Sequence, residues 1–282
     1  MRTVAIIGMG RMGRAIDRGL RDHFDVRYRI SRRPLTEEIY ALGSIDSIDA
    51  DIVIVATNDD SIAEVARSIA DKIRETAIVL HTSGSLSSSA LEPLNSTTRS
   101  VGSMHPLVSV SLDSEPSVFH RAYFCVEGED RASQTAIDIV NSLGGVPFSI
   151  ASDAKPLYHA AAVSAAGHVT ALIDIAEEMM QTAGVPSDKS LDALLPLIES
   201  VIANIRREGT KRSLTGTYAR GDVETTRKHI DAVKGISDRT IRNVFFDLAI
   251  RSIAISRING IDKAKADTIE ELLRIAKIDG GE

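Results

Sequence analysis

A single cysteine, Cys125, is present in the 282 residues, so no internal disulfide can form, and a reducing compartment is the expected setting. Cys125 lies in the strand-like run Ala122-Tyr-Phe-Cys-Val126, which reads as a buried structural thiol rather than a nucleophile. Positive charge is in deficit: the net charge is −6, and Lys and Arg are scattered without forming a basic face. Nucleic acid is therefore not an expected partner. No apolar run looks long enough for a membrane span, and the chain enters its first strand without a signal-peptide pattern, so a cytoplasmic protein is expected. No His or Cys pair has metal-ligand spacing, and no metal is expected. Internal repeats and low-complexity linkers are also lacking. The hydrophobic share of 43% and charged share of 26% are those of a globular chain, long enough for two domains.

What is present begins at the N-terminus. The apolar run Thr3-Val-Ala-Ile-Ile7 meets Gly8-Met9-Gly10-Arg11-Met12-Gly13, and a helical pattern follows. Gly8, Gly10 and Gly13 stand in G-x-G-x-x-G spacing. The first glycine permits a tight turn, the second lets backbone approach a pyrophosphate, and the third lets helix and strand pack closely. The helix N-terminus then offers free N–H groups and the positive end of its dipole to phosphates. Residues 8–13 are thus candidate dinucleotide ligands.

Strand two is expected over Val26 to Ile30 and ends in Ser31-Arg32-Arg33. An acidic residue here would accept from a ribose 2′-OH and favour NAD; there is none. A hydroxyl and two guanidinium groups suit a 2′-phosphate, so the expected cofactor is NADP(H). A continuous apolar run, Ala50–Ala56, reads as a central parallel strand, with Thr57 and Asn58 following it toward the cofactor. Asp59 and Asp60 read as caps of the helix after them rather than a catalytic pair. Two further strands end in histidines, Ala77–His81 and Ser100–His105, and both rings are expected at the mouth of the sheet beside the nicotinamide. Ala122–Val126 and Val146–Ile150 flank a helix over Asp130–Leu143. The predicted fold is α/β: a doubly wound Rossmann domain over residues 1–151, then an all-α domain over residues 152–282.

In the second half strand signals vanish. Helices are predicted near 152–183, 190–207, 223–234, 237–259 and 261–278. The first carries Lys155, Tyr158 and His159 before an alanine run; on periodicity alone Lys155 reads as a surface lysine. The loop Ser213-Leu-Thr-Gly-Thr-Tyr-Ala-Arg-Gly-Asp222 is rich in donors. Arg220 reads as an anion clamp with Thr215 beside it, and Asp222 as a ligand or the cap of the next helix. The apolar faces around Met179-Met180, Val201–Ile205 and Val244–Ile255 point to a homodimer through this domain.

The glycine motif, His81-Thr-Ser-Gly84, Gly102-Ser-Met-His-Pro-Leu107, Lys155 with Tyr158-His159-Ala160-Ala161, and Leu214–Asp222 together resemble a family of Rossmann-like NADP oxidoreductases with an uncharacterised helical C-terminal domain. That family is related to the 6-phosphogluconate dehydrogenase-like superfamily, which includes ketopantoate and pyrroline-5-carboxylate reductases. The resemblance implies an NADPH-dependent reductase of a small 2-oxo acid, with ketopantoate the leading substrate. An imine reductase or dehydrogenase of the pyrroline-5-carboxylate reductase type, or a non-catalytic NADP sensor, is the alternative. On this reading Lys155 stabilises or protonates the oxygen that receives charge, His105 or His159 is the other proton donor, and Arg220 holds the carboxylate. The chain departs from the family at Gly167-His168, where an asparagine partner for the lysine is usual.

Overall fold

The computed structural model describes residues 1–33, 36 and 38–279. The chain divides into two compact units, Met1–Val169 and Thr170–Glu282. Strands give way to helices at Ser152, where the sequence pattern changes, but the first unit runs on through the following helix. The reason is Lys155, whose side chain is tied into the sheet (below).

The first unit is built on an eight-stranded sheet in the order β3-β2-β1-β4-β5-β6-β7-β8. Its strands are β1 Thr3–Ile7, β2 Asp25–Ser31, β3 Tyr40–Ala41, β4 Ile52–Val55, β5 Ile78–His81, β6 Ser100–Pro106, β7 Tyr123–Gly128 and β8 Val146–Ser149. The two-residue β3 was not foreseen. All pairs are parallel except β6 with β7. Helices α1 Arg11–Leu20 and α3 Asp130–Ser142 pack on one face, around Ile16, Leu20, Phe119, Phe124 and Ile139. Helix α2 Asp59–Ile69 and a 3₁₀ turn, Ser88–Leu94, cover the other with Ile62, Val65, Leu91 and Leu94. The order reverses between β1 and β4, and ligands of such sheets bind outside the strand ends at that reversal.

Register decides what stands at this edge. Ile7 pairs with Val55, Val55 with His81, His81 with Ser103, and Ser103 with Glu127. Paired residues share a face, so one row of the sheet begins aliphatic and becomes polar at β5. All five are buried, the polar His81, Ser103 and Glu127 included.

Helix α4, Lys155–Ala165, ends at Ala166 and α5, Gly167–Thr182, begins, so the single long helix expected near 152–183 is two. Within Ser152–Thr182 an 18-residue window reaches a mean hydropathy of 1.2, long and apolar enough to cross a membrane by length and composition, which corrects the expectation that no run reaches that measure. The alanines of α4 and the aliphatic residues of α5 carry that average.

In the second unit α6 spans Ser187–Arg212, with a break at Gly209, where φ is 78°. A four-residue α7, Thr217–Arg220, lies in what was expected to be a loop. Helices α8 Val223–Lys234, α9 Arg239–Ile258 and α10 Lys263–Asp279 enclose Ile230, Phe246, Ile253, Ile269 and Leu273.

Candidate functional site

At the β1/β4 reversal lies a cavity of about 300 Å³ lined by Gly8, Met9, Gly10, Ser31, Arg32, Thr57 and Asn58 among others. Its shape depends on the glycines. Gly8 adopts φ +104°, and a β-carbon there would stand 2.6 Å from the Ala56 carbonyl oxygen. A β-carbon on Gly13 would strike the Gly8 carbonyl. One on Gly10 would meet nothing, because that position faces open space. Helix α1 begins after Gly10 with no side chain capping its N–H groups, and Arg11 and Met12 occupy its first turn. Thr57 Oγ1 is buried without a hydrogen-bond partner among the described residues, a cost that a bound acceptor or donor would relieve. Arg32 donates to Ser61 Oγ at 3.3 Å from the cavity wall, while Arg33 is exposed. Of the residues expected to take a dinucleotide, Gly8, Met9, Gly10, Ser31, Arg32, Thr57 and Asn58 line this cavity, whereas Arg11, Met12, Gly13, Arg33 and His81 lie outside its lining.

Two strands away the chemistry belongs to side chains. His81, expected at the mouth of the sheet, is completely buried, because it is the last residue of β5 with strands on both sides. Its Nδ1 accepts from the Ser83 amide at 3.2 Å, and its Nε2 stands 3.0 Å from the Ser87 carbonyl oxygen, which fixes the Nε2–H tautomer. Burial, followed by the charge of Lys155, pushes its pKa down to about 4. The ring is neutral and fully occupied.

Lys155 is also completely buried, not on the surface as helical periodicity alone suggested. Its Nζ donates to Ser103 Oγ at 2.7 Å and to the Ser83 carbonyl at 3.1 Å. Burial lowers its pKa, and Glu127 opposes that shift. Glu127 accepts from the Ser88 amide (2.8 Å) and hydroxyl (2.7 Å), from Ser152 Oγ (2.7 Å) and from Ser103 Oγ (3.2 Å). Burial alone would raise its carboxyl; the hydrogen bonds from Ser152 and Ser88 and the Lys155 charge outweigh it and hold the pKa below the usual range. Glu127 was missed in the sequence. The available signal was an acidic residue closing the apolar run Phe124-Cys-Val126.

His105 and His159 meet over Gly84. Their rings lie 5.7 Å apart, edge to face, and His105 Nδ1 is 2.8 Å from the Tyr158 hydroxyl. A β-carbon on Gly84 would collide with the His159 ring and stand 2.8 Å from His105 Nε2. Burial, His159 and Lys155 together push the His105 pKa to about 4, and burial raises that of Tyr158. Both groups are therefore uncharged near neutral pH. His105 and His159 border a cavity of about 380 Å³ whose wall is otherwise mostly apolar, with Pro106, Val108, Ala162 and Val163 beside Ser109.

Asp59 caps nothing through its side chain; it accepts from Ser85 Oγ at 2.6 Å and ties α2 to the serine loop. In the second unit Thr215 and Arg220 are exposed. Asp222 caps α8, accepting from the Thr225 amide at 2.9 Å. None of these three lines either cavity of the first unit.

Residues 122–251 match a family model described only as a domain of unknown function, DUF2520. No curated protein sequence is similar to this chain. Among solved structures, a Bacteroides fragilis protein, BF3122, provisionally assigned as an NADP oxidoreductase, shares 21% identity with a TM-score of 0.68 over 98% of both chains. Protein TM1727 of Thermotoga maritima shares 22% at 0.67 over 99% of this chain and 100% of its own. Pyrroline carboxylate reductase of Plasmodium falciparum, solved with NADP bound, shares 14% at 0.57 over 99% and 98%. At these identities the likeness establishes the fold.

Proposed function

We propose that the chain is an NADP(H)-dependent oxidoreductase that reduces a C=N bond in a small organic acid. The observation that carries this reading is the His105–His159 pair, with His105 uncharged, bordering a largely apolar cavity at the same sheet edge as the glycine pocket. NADP(H), when bound, supplies the hydride. Gly8, Gly10 and the open N-terminus of α1 would hold its pyrophosphate, Thr57 would lie along it, and Ser31 and Arg32 would take the 2′-phosphate. The NADP-bound Plasmodium reductase of the same fold supports the cofactor assignment.

Proton accounting favours C=N over C=O. Reduction of a carbonyl builds an alkoxide that needs an acid beside it. His105, with a pKa near 4, carries no transferable proton at neutral pH and can only donate or accept a hydrogen bond. Lys155 is committed to Ser83 and Ser103. A protonated imine brings its own proton and yields a neutral amine, so the uncharged His105 imidazole suffices to orient it. Ketopantoate reduction is the second reading; it requires Lys155 to act as the acid.

The test is loss of NADPH absorbance with pyrroline-5-carboxylate, other cyclic imines and ketopantoate. Turnover on imines is expected. Turnover on ketopantoate alone would replace this reading with the second, and tight NADPH binding without any turnover would leave a sensor. The exposed Leu195, Val201, Ile202 and Leu248 support a homodimer, and sedimentation as a 30.4 kDa species alone would exclude it. A cytoplasmic location is proposed on the lone, buried Cys125.

A further inference from the structure

The serine loop after β5 is held from beneath at both ends. At its start the Ser83 amide donates to His81 and the Ser83 carbonyl accepts from Lys155. At its end the Ser87 carbonyl faces His81 Nε2, and the Ser88 amide and hydroxyl donate to Glu127. Beneath the loop the circuit closes: Lys155 Nζ donates to Ser103 Oγ, and Ser103 Oγ donates to Glu127 Oε2. Between the two ends lies Gly84, the surface on which His105 and His159 rest with no room for a methyl group. The sheet register places Ser103 and Glu127 directly opposite each other, so that link of the circuit is fixed by backbone pairing.

From this geometry we infer that Glu127 is a positioning residue for the imidazole pair: its carboxylate, acting through Ser88, Ser103 and Lys155, sets the height of Gly84 and hence the placement of His105 and His159 at the cavity. Glu127 touches neither imidazole through any of its hydrogen bonds, all of which go to serines. Its influence passes along the loop. Removing its charge leaves the buried Lys155 ammonium without the carboxylate that faces it across Ser103, and removes the anchor of the loop's far end. The inference rests on the reading of the histidine cavity as the place where substrate binds.

The experiment compares Glu127→Gln and Ser103→Ala with the unaltered protein by the ring NMR signals of His105 and His159, alongside steady-state kinetics on the imine panel. Ser103→Ala removes only the hydroxyl between the two charges and keeps the fold testable should Glu127→Gln fail to fold. Displaced signals from both rings, with kcat reduced by about tenfold or more and KM for NADPH unchanged, are expected. Unmoved ring signals in either folded variant would overturn the role of Glu127. If the unaltered protein turns over no panel substrate, the proposed reaction falls, while the ring signals still decide on Glu127: displacement supports it and constancy rejects it.

Discussion

The glycine pocket and the histidine cavity are made of different materials. The glycine pocket is backbone: its walls are peptide groups held close together because three positions lack a β-carbon, or leave space where one would be. The histidine cavity is side chain: its polar groups come from β6 and α4 and rest on a loop pinned by buried charges. A backbone site is rigid as soon as the chain path is set, and it recognises what every dinucleotide shares. A side-chain site is only as well defined as the groups behind it, and those groups choose the substrate.

Substitutions that add one methyl group should separate the two. Gly13→Ala should have the largest effect, because the new β-carbon strikes the Gly8 carbonyl and neither backbone can yield without reshaping the turn. NADPH affinity by fluorescence titration should fall by about a hundredfold or more. Retained affinity would break the comparison at its first half. Gly84→Ala should come next and act on the other cavity alone: kcat falls by about tenfold while NADPH affinity holds. Equal losses in both would mean the cavities are not independent.

Acid stability sharpens the contrast further. His81 and His105 have folded pKa values near 4 against an ordinary 6.5, so the unfolded chain binds protons more readily. Stability is unaffected above pH 6.5 and declines as pH falls toward 4, by up to ~3 kcal/mol for the fully buried His81. Urea midpoints measured between pH 7 and pH 4.5 should show this slope, and His81→Asn should flatten its share; an unchanged slope would contradict the burial described for His81. The smallest effect is expected from Arg32→Ala, which should lower the preference for NADPH over NADH by about tenfold. An unaltered preference would move the 2′-phosphate away from Ser31 and Arg32.

Legibility in the sequence follows the same division. The glycine pocket could be read because its determinants lie within six consecutive residues and their spacing states the turn. Strands and helices of the first unit were readable from apolar runs and periodicity, while two-residue β3 and four-residue α7 carry too little pattern to announce themselves. Lys155 could not be placed from its helix, because its partners lie 52 and 72 residues away in β6 and the serine loop. Glu127 shows locally only as an acidic residue closing an apolar run, and its partners follow from the antiparallel register of β6 and β7. His81 was expected at the mouth of the sheet, yet its solvent exposure depended on which strands flank β5.

The reversed strand β7 also has a consequence for the order in which the molecule can be assembled. Strands β1 through β6 and the whole glycine pocket come from residues before 107, so a growing chain can pair them in parallel as they emerge. Glu127 and Lys155 arrive later. Until they do, Ser103 has neither its donor nor its acceptor, and the serine loop has no anchor at Ser88 or at the Ser83 carbonyl. The glycine pocket can thus exist in a half-made chain, whereas the histidine cavity comes into being only once Glu127 and Lys155 close their long-range contacts.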